Sequence, residues 1–257
     1  MNRTSHLFLL RELVRRDFAA RYAGSMLGMT WSFIQPLWQL ALLSFVFSLI
    51  MRLRLDGEAT ERFWVFLLCG LLPWTAIQEA VQRSATVITD HAEMVKKIAF
   101  PSELLVVNVT VSSLIHQAIT MSLFLVALIW VGELDVRLLA LLPVAMLAQV
   151  VLTLGLSYLV AALNVFFRDT SQFLGMIMSA WFYTTPIVYP LAMAADYQDL
   201  VTLNPLTILV MLYRRVFLGP ESPWVDSVAP LVAIPILFLI LGLGLFRHLK
   251  PTFSDEI

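Results

Sequence analysis

The fold class of this chain is clearest in residues 104–130, which read LLVVNVTVSSLIHQAITMSLFLVALIW. The run contains no Asp, Glu, Lys or Arg. A helix crosses the hydrocarbon core of a bilayer with about 20 mostly apolar residues. This run is longer than that, so it predicts a membrane-spanning helix that tilts or extends beyond the bilayer.

The composition of the whole chain agrees with a membrane protein. Of its 257 residues 60% are hydrophobic and 14% charged, and the mean hydropathy is +0.83. A soluble domain has roughly a quarter of its residues charged. The net charge is −1 and no basic block occurs, so nucleic acid is not an expected partner. Cys69 is the single cysteine, which excludes a disulfide within one chain. No pattern of a cleavable signal peptide is visible.

Five further apolar runs are long enough, or nearly so, to cross a membrane. They are Thr30–Met51, Phe63–Ile77 (extendable through Ala80), Leu138–Phe166, Phe173–Tyr189 and Val228–Phe246. With residues 104–130 they predict an all-α polytopic fold of six transmembrane helices. The run 206–218, LTILVMLYRRVFL, is too short and predicts a re-entrant or interfacial helix. Asn204-Pro205 should begin it and Gly219-Pro220 should end it.

The distribution of Lys and Arg predicts which side of the membrane the termini occupy. Six spans place both termini on one side, and basic residues favour the cytoplasm. Eleven lie on the side of the termini: Arg3, Arg11, Arg15, Arg16, Arg21, Arg83, Lys96, Lys97, Arg168, Arg247 and Lys250. Six lie opposite: Arg52, Arg54, Arg62, Arg137, Arg214 and Arg215. Both termini are therefore expected in the cytoplasm, whereas a seventh span through 206–218 would place the C-terminus outside.

The N-terminal region shows helical periodicity. Leu7, Leu10, Val14 and Phe18 recur at helical spacing. The pattern predicts an amphipathic helix on the inner membrane surface, although a polar tail with incidental leucines is the alternative. Residues 1–29 are thus predicted to be a cytoplasmic interface helix, and residues 30–257 the transmembrane domain.

Motifs for catalysis are absent from the sequence. There is no Gly-Lys of a Walker A loop, no G-x-G-x-x-G, no H-E-x-x-H and no Cys/His cluster with metal spacing. We therefore expect no enzyme activity, cofactor or metal on this chain. Ion-driven carriers usually bury ionisable groups within their spans. Only His116 lies near the centre of a predicted span, which disfavours a proton-coupled carrier.

Two sets of side chains could line a translocation path. The first is a row of polar residues four apart, which shares one helix face: Asn108, Ser112, His116 and Thr120. The second is a set of aromatic residues: Trp38, Phe45, Trp74, Trp181, Tyr183 and Tyr189. The polar row could equally hydrogen-bond between packed helices. The aromatic residues could equally lie at the membrane interfaces.

A compact charged segment interrupts the apolar sequence at residues 91–105, HAEMVKKIAFPSELL. Its charges are Glu93, Lys96, Lys97 and Glu103. Pro101 cannot continue a helix and restricts Phe100, so it fixes a stop. Phe100 is an apolar side chain that could fill a pocket in a soluble partner. The alternative is an ordinary solvated loop.

Three motifs carry a family resemblance. They are RYAGSMLGMTWSFIQPL at 21–37, MVKKIAFPSELL at 94–105, and NVFFRD at 164–169 followed by LNPLT at 203–207. In this order, among six spans, they resemble the permease subunits of ABC-2 type exporters. The branch that they resemble moves lipid-linked O-antigen, capsule or teichoic acid chains.

The resemblance implies a multi-pass protein of the bacterial inner membrane that works as a homodimer. Two copies of a separate nucleotide-binding subunit would supply ATP and Mg²⁺, and the substrate would be a lipid-linked glycan. It also implies a coupling loop at 81–103, a second cytoplasmic loop at 164–171 and an outer gate segment at 191–227. The coupling residues would be Glu93, Lys96, Lys97, Phe100, Pro101, Glu103, Arg168 and Asp169. The gate residues would be Asn204, Pro205, Tyr213, Arg214 and Arg215.

Alternatives remain at each level. Arg168 could be an arginine at the membrane edge. Arg214 and Arg215 could anchor a helix at the interface or attract a phosphate or acidic sugar. The function could be export of a small lipid or drug, proton-coupled transport, or a scaffold without an ATPase partner.

Overall fold

A computed structural model describes residues 3–22, 28–53, 55, 57–97, 100–224 and 227–257, and in these residues it contains only helices and loops. The α-helices are α1 (Arg3–Tyr22), α2 (Trp31–Ser44), α3 (Phe63–Asp90), α4 (Ala92–Lys97), α5 (Glu103–Val131), α6 (Leu142–Phe166), α7 (Thr170–Thr184), α8 (Gln198–Leu203), α9 (Pro205–Leu218), α10 (Ala229–Leu249) and α11 (Phe253–Glu256). A π-helical segment, Phe45–Ile50, continues α2. Turns of 3₁₀ helix cover Gly28–Thr30, Leu139–Leu141, Leu191–Tyr197 and Lys250–Thr252.

Four helical segments of the described chain are long and apolar enough to cross a membrane. They are Phe63–Asp90, Glu103–Val131, Leu139–Phe166 and Ala229–Glu256. A fifth span results if the bent pair Leu191–Leu203 and Pro205–Leu218, which turns by 110°, is counted as one. The all-helical, multi-pass membrane fold is therefore confirmed. The number six remains a prediction, because α2 has 14 residues and α7 has 15.

Two predicted helix ends differ from the structure. The sequence predicts that the second span ends at Ile77, or at Ala80 if it is extended, but α3 continues to Asp90. Its last turns are less apolar, yet they still bury a helical face that includes Ala85 and Ile88, and this face sustains the helix. The fifth span was expected to reach Tyr189, but α7 ends at Thr184. Pro186 disfavours a helical conformation in the residue before it.

The centre of the bundle is formed by α3 and α9. In the most apolar 18-residue stretch of α3, 72% of the stretch is buried. The corresponding buried shares are 22% in α5, 33% in Leu139–Phe166 and 22% in Ala229–Glu256. The latter three therefore leave apolar faces on the outside, as membrane helices do towards lipid. In α9, 13 of the 14 residues are buried. This helix lies between α3, α6 and α10.

α6 and α10 approach each other closely at two glycines. A Cβ on Gly155 would lie 2.5 Å from the backbone nitrogen of Leu239. A Cβ on Gly242 would lie 2.1 Å from the carbonyl oxygen of Gly155. Small residues allow such backbone contact between membrane helices. The two helices consequently pack as one tight pair.

α1 is attached to the bundle through Asp17. Its Oδ2 accepts a hydrogen bond from Ser112 Oγ at 2.5 Å, and its Oδ1 pairs with Arg83 Nη2. Leu13, one turn earlier, packs against an apolar cluster formed by the start of α5 and the end of α6, which includes Leu105 and Val165. Leu7 and Phe8 are exposed, and the side chain of Phe18 lies outside the described residues. The position of α1 on the membrane surface remains a prediction.

Asp17→Asn is expected to loosen α1. The substitution leaves the half-buried Arg83 guanidinium without the charge of its partner on α1. Amide exchange within α1 should rise by about tenfold, measured by hydrogen–deuterium exchange in detergent. Glu12→Gln is the control, because Glu12 pairs with Arg15 and Arg16 of its own helix at the surface. Equal exchange in both variants would contradict the role of Asp17.

Candidate functional site

The first ten residues of the predicted coupling loop, 81–90, form the last turns of α3, and the charged segment 91–105 follows directly. His91 caps that helix, and its Nδ1 lies 2.9 Å from the Val87 carbonyl. One residue later the chain forms the short helix α4, on which Glu93 and Lys96 are exposed. The backbone of Lys97 ends α4, but its side chain and residues 98 and 99 lie outside the described residues. α4 therefore presents charge of both signs to solvent.

The remaining coupling residues make contacts within the chain. Phe100 is half-buried and packs against the cluster that contains Leu105 and Phe253. Pro101 lies two residues before the start of α5. Glu103 Oε2 pairs with Lys250 Nζ at 2.7 Å. These contacts distinguish an outward face of the segment from an inward face.

The second predicted loop, 164–171, includes the end of α6 and the start of α7, and only three residues between them are not helical. Asn164 Oδ1 accepts a hydrogen bond from the Ser171 N–H at 3.2 Å, which fixes the turn. Phe167, Arg168 and Asp169 are exposed, and Arg168 forms no ion pair with any part of the chain that the structure describes. A cavity of about 760 Å³ opens beside this loop and runs between α6 and α7 up to Trp181.

The polar row on α5 lies against neighbouring helices. Asn108 and Ser112 are buried, and Ser112 donates to Asp17 of α1. His116 Nδ1 lies 3.4 Å from Glu79 Oε2 of α3. Thr120 donates to carbonyls of its own helix. Within a single chain, Ser112 and His116 therefore connect α5 to α1 and α3, and none of the four side chains is exposed.

The structure divides the predicted aromatic set into buried and exposed members. Trp74 is buried, with its ring centroid 5.5 Å from that of Phe182. The indole N–H of Trp181 donates to Asn204 Oδ1 at 2.9 Å. The Tyr189 hydroxyl donates to the Tyr183 carbonyl at 3.2 Å. The exposed members are Trp38 at 69%, Phe45 at 56% and Tyr183 at 61%.

The sequence signals at the ends of α9 are confirmed. Asn204 caps the helix, because its Oδ1 accepts the Leu206 N–H at 3.0 Å, and Pro205 is the first helical residue. The helix ends at Leu218, and the next residue, Gly219, has a φ of 91°, which favours glycine. A Cβ there would also lie 2.2 Å from Asp135 Oδ2, so the loop between α5 and α6 closes over this end.

Tyr213 belongs to a buried polar cluster in the core. Its hydroxyl donates to Gln149 Oε1 at 2.6 Å, and the Gln149 amide donates to Gln117 Oε1 at the same distance. Gln149 Nε2 also lies 3.5 Å from the Pro73 carbonyl. The cluster joins α3, α5, α6 and α9. Sequence reasoning missed both glutamines, although an amide within an apolar span is itself a signal of interhelical bonding.

Arg214 is enclosed by protein. It is 2% exposed, its Nη2 donates to the Ile187 carbonyl at 3.0 Å, and its guanidinium lies 3.5 Å from the centroid of the Phe66 ring. Arg215 is half-buried, with its guanidinium 5.2 Å from the Trp224 ring centroid. Burial raises the pKa of the nearby Glu58 carboxyl, and the charge of Arg214 lowers it in part. The two arginines thus pack against rings of this chain.

The loop that closes over α9 is held by an ion pair. Arg137 donates to Asp135 through its backbone N–H at 2.8 Å and through Nε at 2.7 Å. These hydrogen bonds hold the pKa of the Asp135 carboxyl below its usual range.

Within the described ranges, no group of three or more His, Cys, Asp or Glu residues could hold a metal ion.

Comparison with known proteins identifies the family. The model of the ABC-2 type transporter family matches residues 9–218. The chain is similar to the O-antigen export system permease protein RfbA of Myxococcus xanthus, with 31% identity over 97% of this chain and 95% of the relative. It is also similar to a protein of the same name from Klebsiella pneumoniae, with 28% identity over 96% of this chain and 94% of the relative. Permeases of this kind carry no ATPase motif and pair with a separate ATPase. The chain therefore belongs to the ABC-2 type transporter family.

Proposed function

We propose that this chain is the channel-forming subunit of an ATP-driven exporter of lipid-linked polysaccharide in a bacterial inner membrane. The observation that carries the proposal is the similarity, over nearly the whole length, to permeases named for O-antigen export. Two copies of the chain, each with six spans and cytoplasmic termini, would enclose the path. The exposed aromatic side chains Trp38, Phe45 and Tyr183 support this arrangement, because their flat faces suit contact with sugar rings.

The proposed mechanism has three steps. ATP binding draws two nucleotide-binding subunits together. Their motion acts on α4, whose exposed residues Glu93 and Lys96 form the contact, with Arg168 and Asp169 as a second contact. The helices joined to α4 then move, α9 with its bend at Asn204 serves as the outer gate, and the glycan passes outward between the two copies.

The export function is tested by deleting the chain from its cell. Undecorated cell surface and lipid-linked polymer retained in the cytoplasm are expected, and the parent chain should restore export only together with its ATPase subunit. Retention of a small lipid or drug instead of a polymer would reject the proposed substrate class. Restoration without any ATPase subunit would reject the mechanism.

The ATPase contact is tested by exchanging charges on α4. Glu93→Lys combined with Lys96→Glu is expected to weaken binding of the nucleotide-binding subunit by about tenfold, because rearranged charges no longer match the partner. Binding is measured by co-purification and titration in nanodiscs. Asp199→Lys, an exposed change on α8, is the matched control. Unchanged binding in the α4 variant would place the docking surface elsewhere.

A further inference from the structure

The segment that follows α10 folds back onto the helix bundle. A 3₁₀ turn at Lys250–Thr252 is followed by α11. This helix places Phe253 in the apolar cluster formed by the start of α5 and the end of α6. Phe253 is 0% exposed. Its ring centroid lies 5.2 Å from that of Phe246 on α10 and 6.2 Å from that of Phe166 on α6. One side chain thus connects the ends of two spans.

The same cluster supports the coupling segment. Val95 of α4 and Phe100 pack against it, and α11 contacts α4 directly. α4 has only six residues, so it cannot be stable by itself, because short helices depend on tertiary contacts. The position of α4 consequently depends on what it packs against, and Phe253 is a fully buried member of that cluster.

Polar contacts hold the other end of the segment. Lys250 Nζ pairs with Glu103 Oε2 at 2.7 Å, and the Tyr158 hydroxyl donates to the Glu103 carbonyl at 3.4 Å. Glu103 lies in the first turn of α5, where a negative charge is favoured. The start of α5 is therefore tied to the end of α10 and to α6.

We propose that Lys250–Ile257 is a brace that holds α4 and the start of α5 against α6 and α10. This proposal rests on the proposed function, since it assigns α4 a route for the motion that ATP binding produces. Motion of α4 would reach α3 and α5 through the chain itself. Through the brace it also reaches α6 and α10, which move as one unit because of the close contact at Gly155 and Gly242. Phe253 and Lys250 are positioning residues in this route.

The first experiment measures the brace in the complete chain without the ATPase. In Phe253→Ala, amide exchange at Met94 and Val95, whose N–H groups donate to the His91 carbonyl, should rise by about tenfold. Phe253→Leu should restore protection, because it refills the apolar site. Ser254→Ala, an exposed neighbour, is the control. Unchanged exchange in Phe253→Ala would overturn the proposal.

The second experiment measures transmission in the complex with its ATPase subunit. Phe253→Ala should lower transport by about tenfold while ATPase binding stays at the parent level, because coupling and not docking is impaired. Loss of transport in strict proportion to loss of ATPase binding would overturn the proposal. If the parent chain binds no ATPase subunit, the proposed function fails, and the exchange result still decides whether the brace exists.

A charge exchange covers the case in which Phe253→Ala does not fold. Lys250→Glu should lower transport, and adding Glu103→Lys should restore most of it, because the pair at 2.7 Å is re-formed with the charges reversed. No restoration in a correctly folded double variant would contradict a role for this ion pair in the brace.

Discussion

Gly155→Val should be among the most damaging single substitutions in this chain. A Cβ at this position would lie 2.5–2.6 Å from backbone atoms of Phe238 and Leu239 on α10. No rotamer change relieves a contact with backbone, so α6 and α10 must separate. The expected loss of stability is roughly 3 kcal/mol or more. The melting temperature in detergent should fall by about 10 °C, with a lower yield of monodisperse protein.

The matched control for this substitution lies on α10 itself. A Cβ added to Gly244 would meet open space. Two residues earlier, a Cβ added to Gly242 would meet the Gly155 carbonyl. Gly244→Ala should leave the melting temperature unchanged or raise it, because alanine favours a helix over glycine. Gly242→Ala should behave like Gly155→Val. A melting temperature for Gly155→Val close to that of the parent would show that α6 and α10 do not touch as described.

Gln149→Leu is expected to have the second largest effect. It removes the acceptor of the Tyr213 hydroxyl and both hydrogen bonds that Gln149 exchanges with Gln117, all within the core. Hydrogen bonds between membrane helices contribute modestly one by one, but three hydrogen bonds are lost together, for a total of about 2 kcal/mol. The melting temperature should fall by about 6 °C, and amide exchange in α9 should rise.

An exposed glutamine provides the comparison for Gln149. Gln82→Leu on α3 makes the same chemical change where the side chain is exposed, and it should leave both measurements unchanged. Tyr213→Phe should give an intermediate loss, because the two glutamines keep each other as partners. If Gln149→Leu melts at the temperature of the parent, the polar cluster does not hold α9 in the bundle.

The parts of this fold that local sequence patterns specify could be predicted. The bounds of α5, of Leu139–Phe166 and of α9 follow from apolar length and from capping residues such as Asn204 and Gly219. The continuation of α3 to Asp90 was missed because hydropathy falls along its last turns, and burial of that face against other helices is not visible in hydropathy.

The candidate site shows why contacts distant in sequence escape prediction. The sequence predicts a docking role for Glu103, and no local pattern indicates its ion pair with Lys250, which lies 147 residues later. The charge of Arg214 predicts a role at the outer gate, but its contacts with Phe66 and Ile187, which lie in distant segments, are not visible in the sequence. Local patterns place such residues on a helix face, and the packing of the whole chain decides what that face meets.

The enclosure of α9 also has a consequence for biosynthesis. One of the helices that surround α9 is α10, which is synthesised after it. When α9 is first made, part of its packing surface therefore has no partner. Arg214 can contact Phe66 and the Ile187 carbonyl before α10 is made, because both residues precede it in the chain. The apolar face of α9 next to α10 stays uncovered until the final span has inserted. A nascent chain that stalls before Ala229 would therefore display an apolar surface, and quality control in the cell could recognise incomplete copies by it.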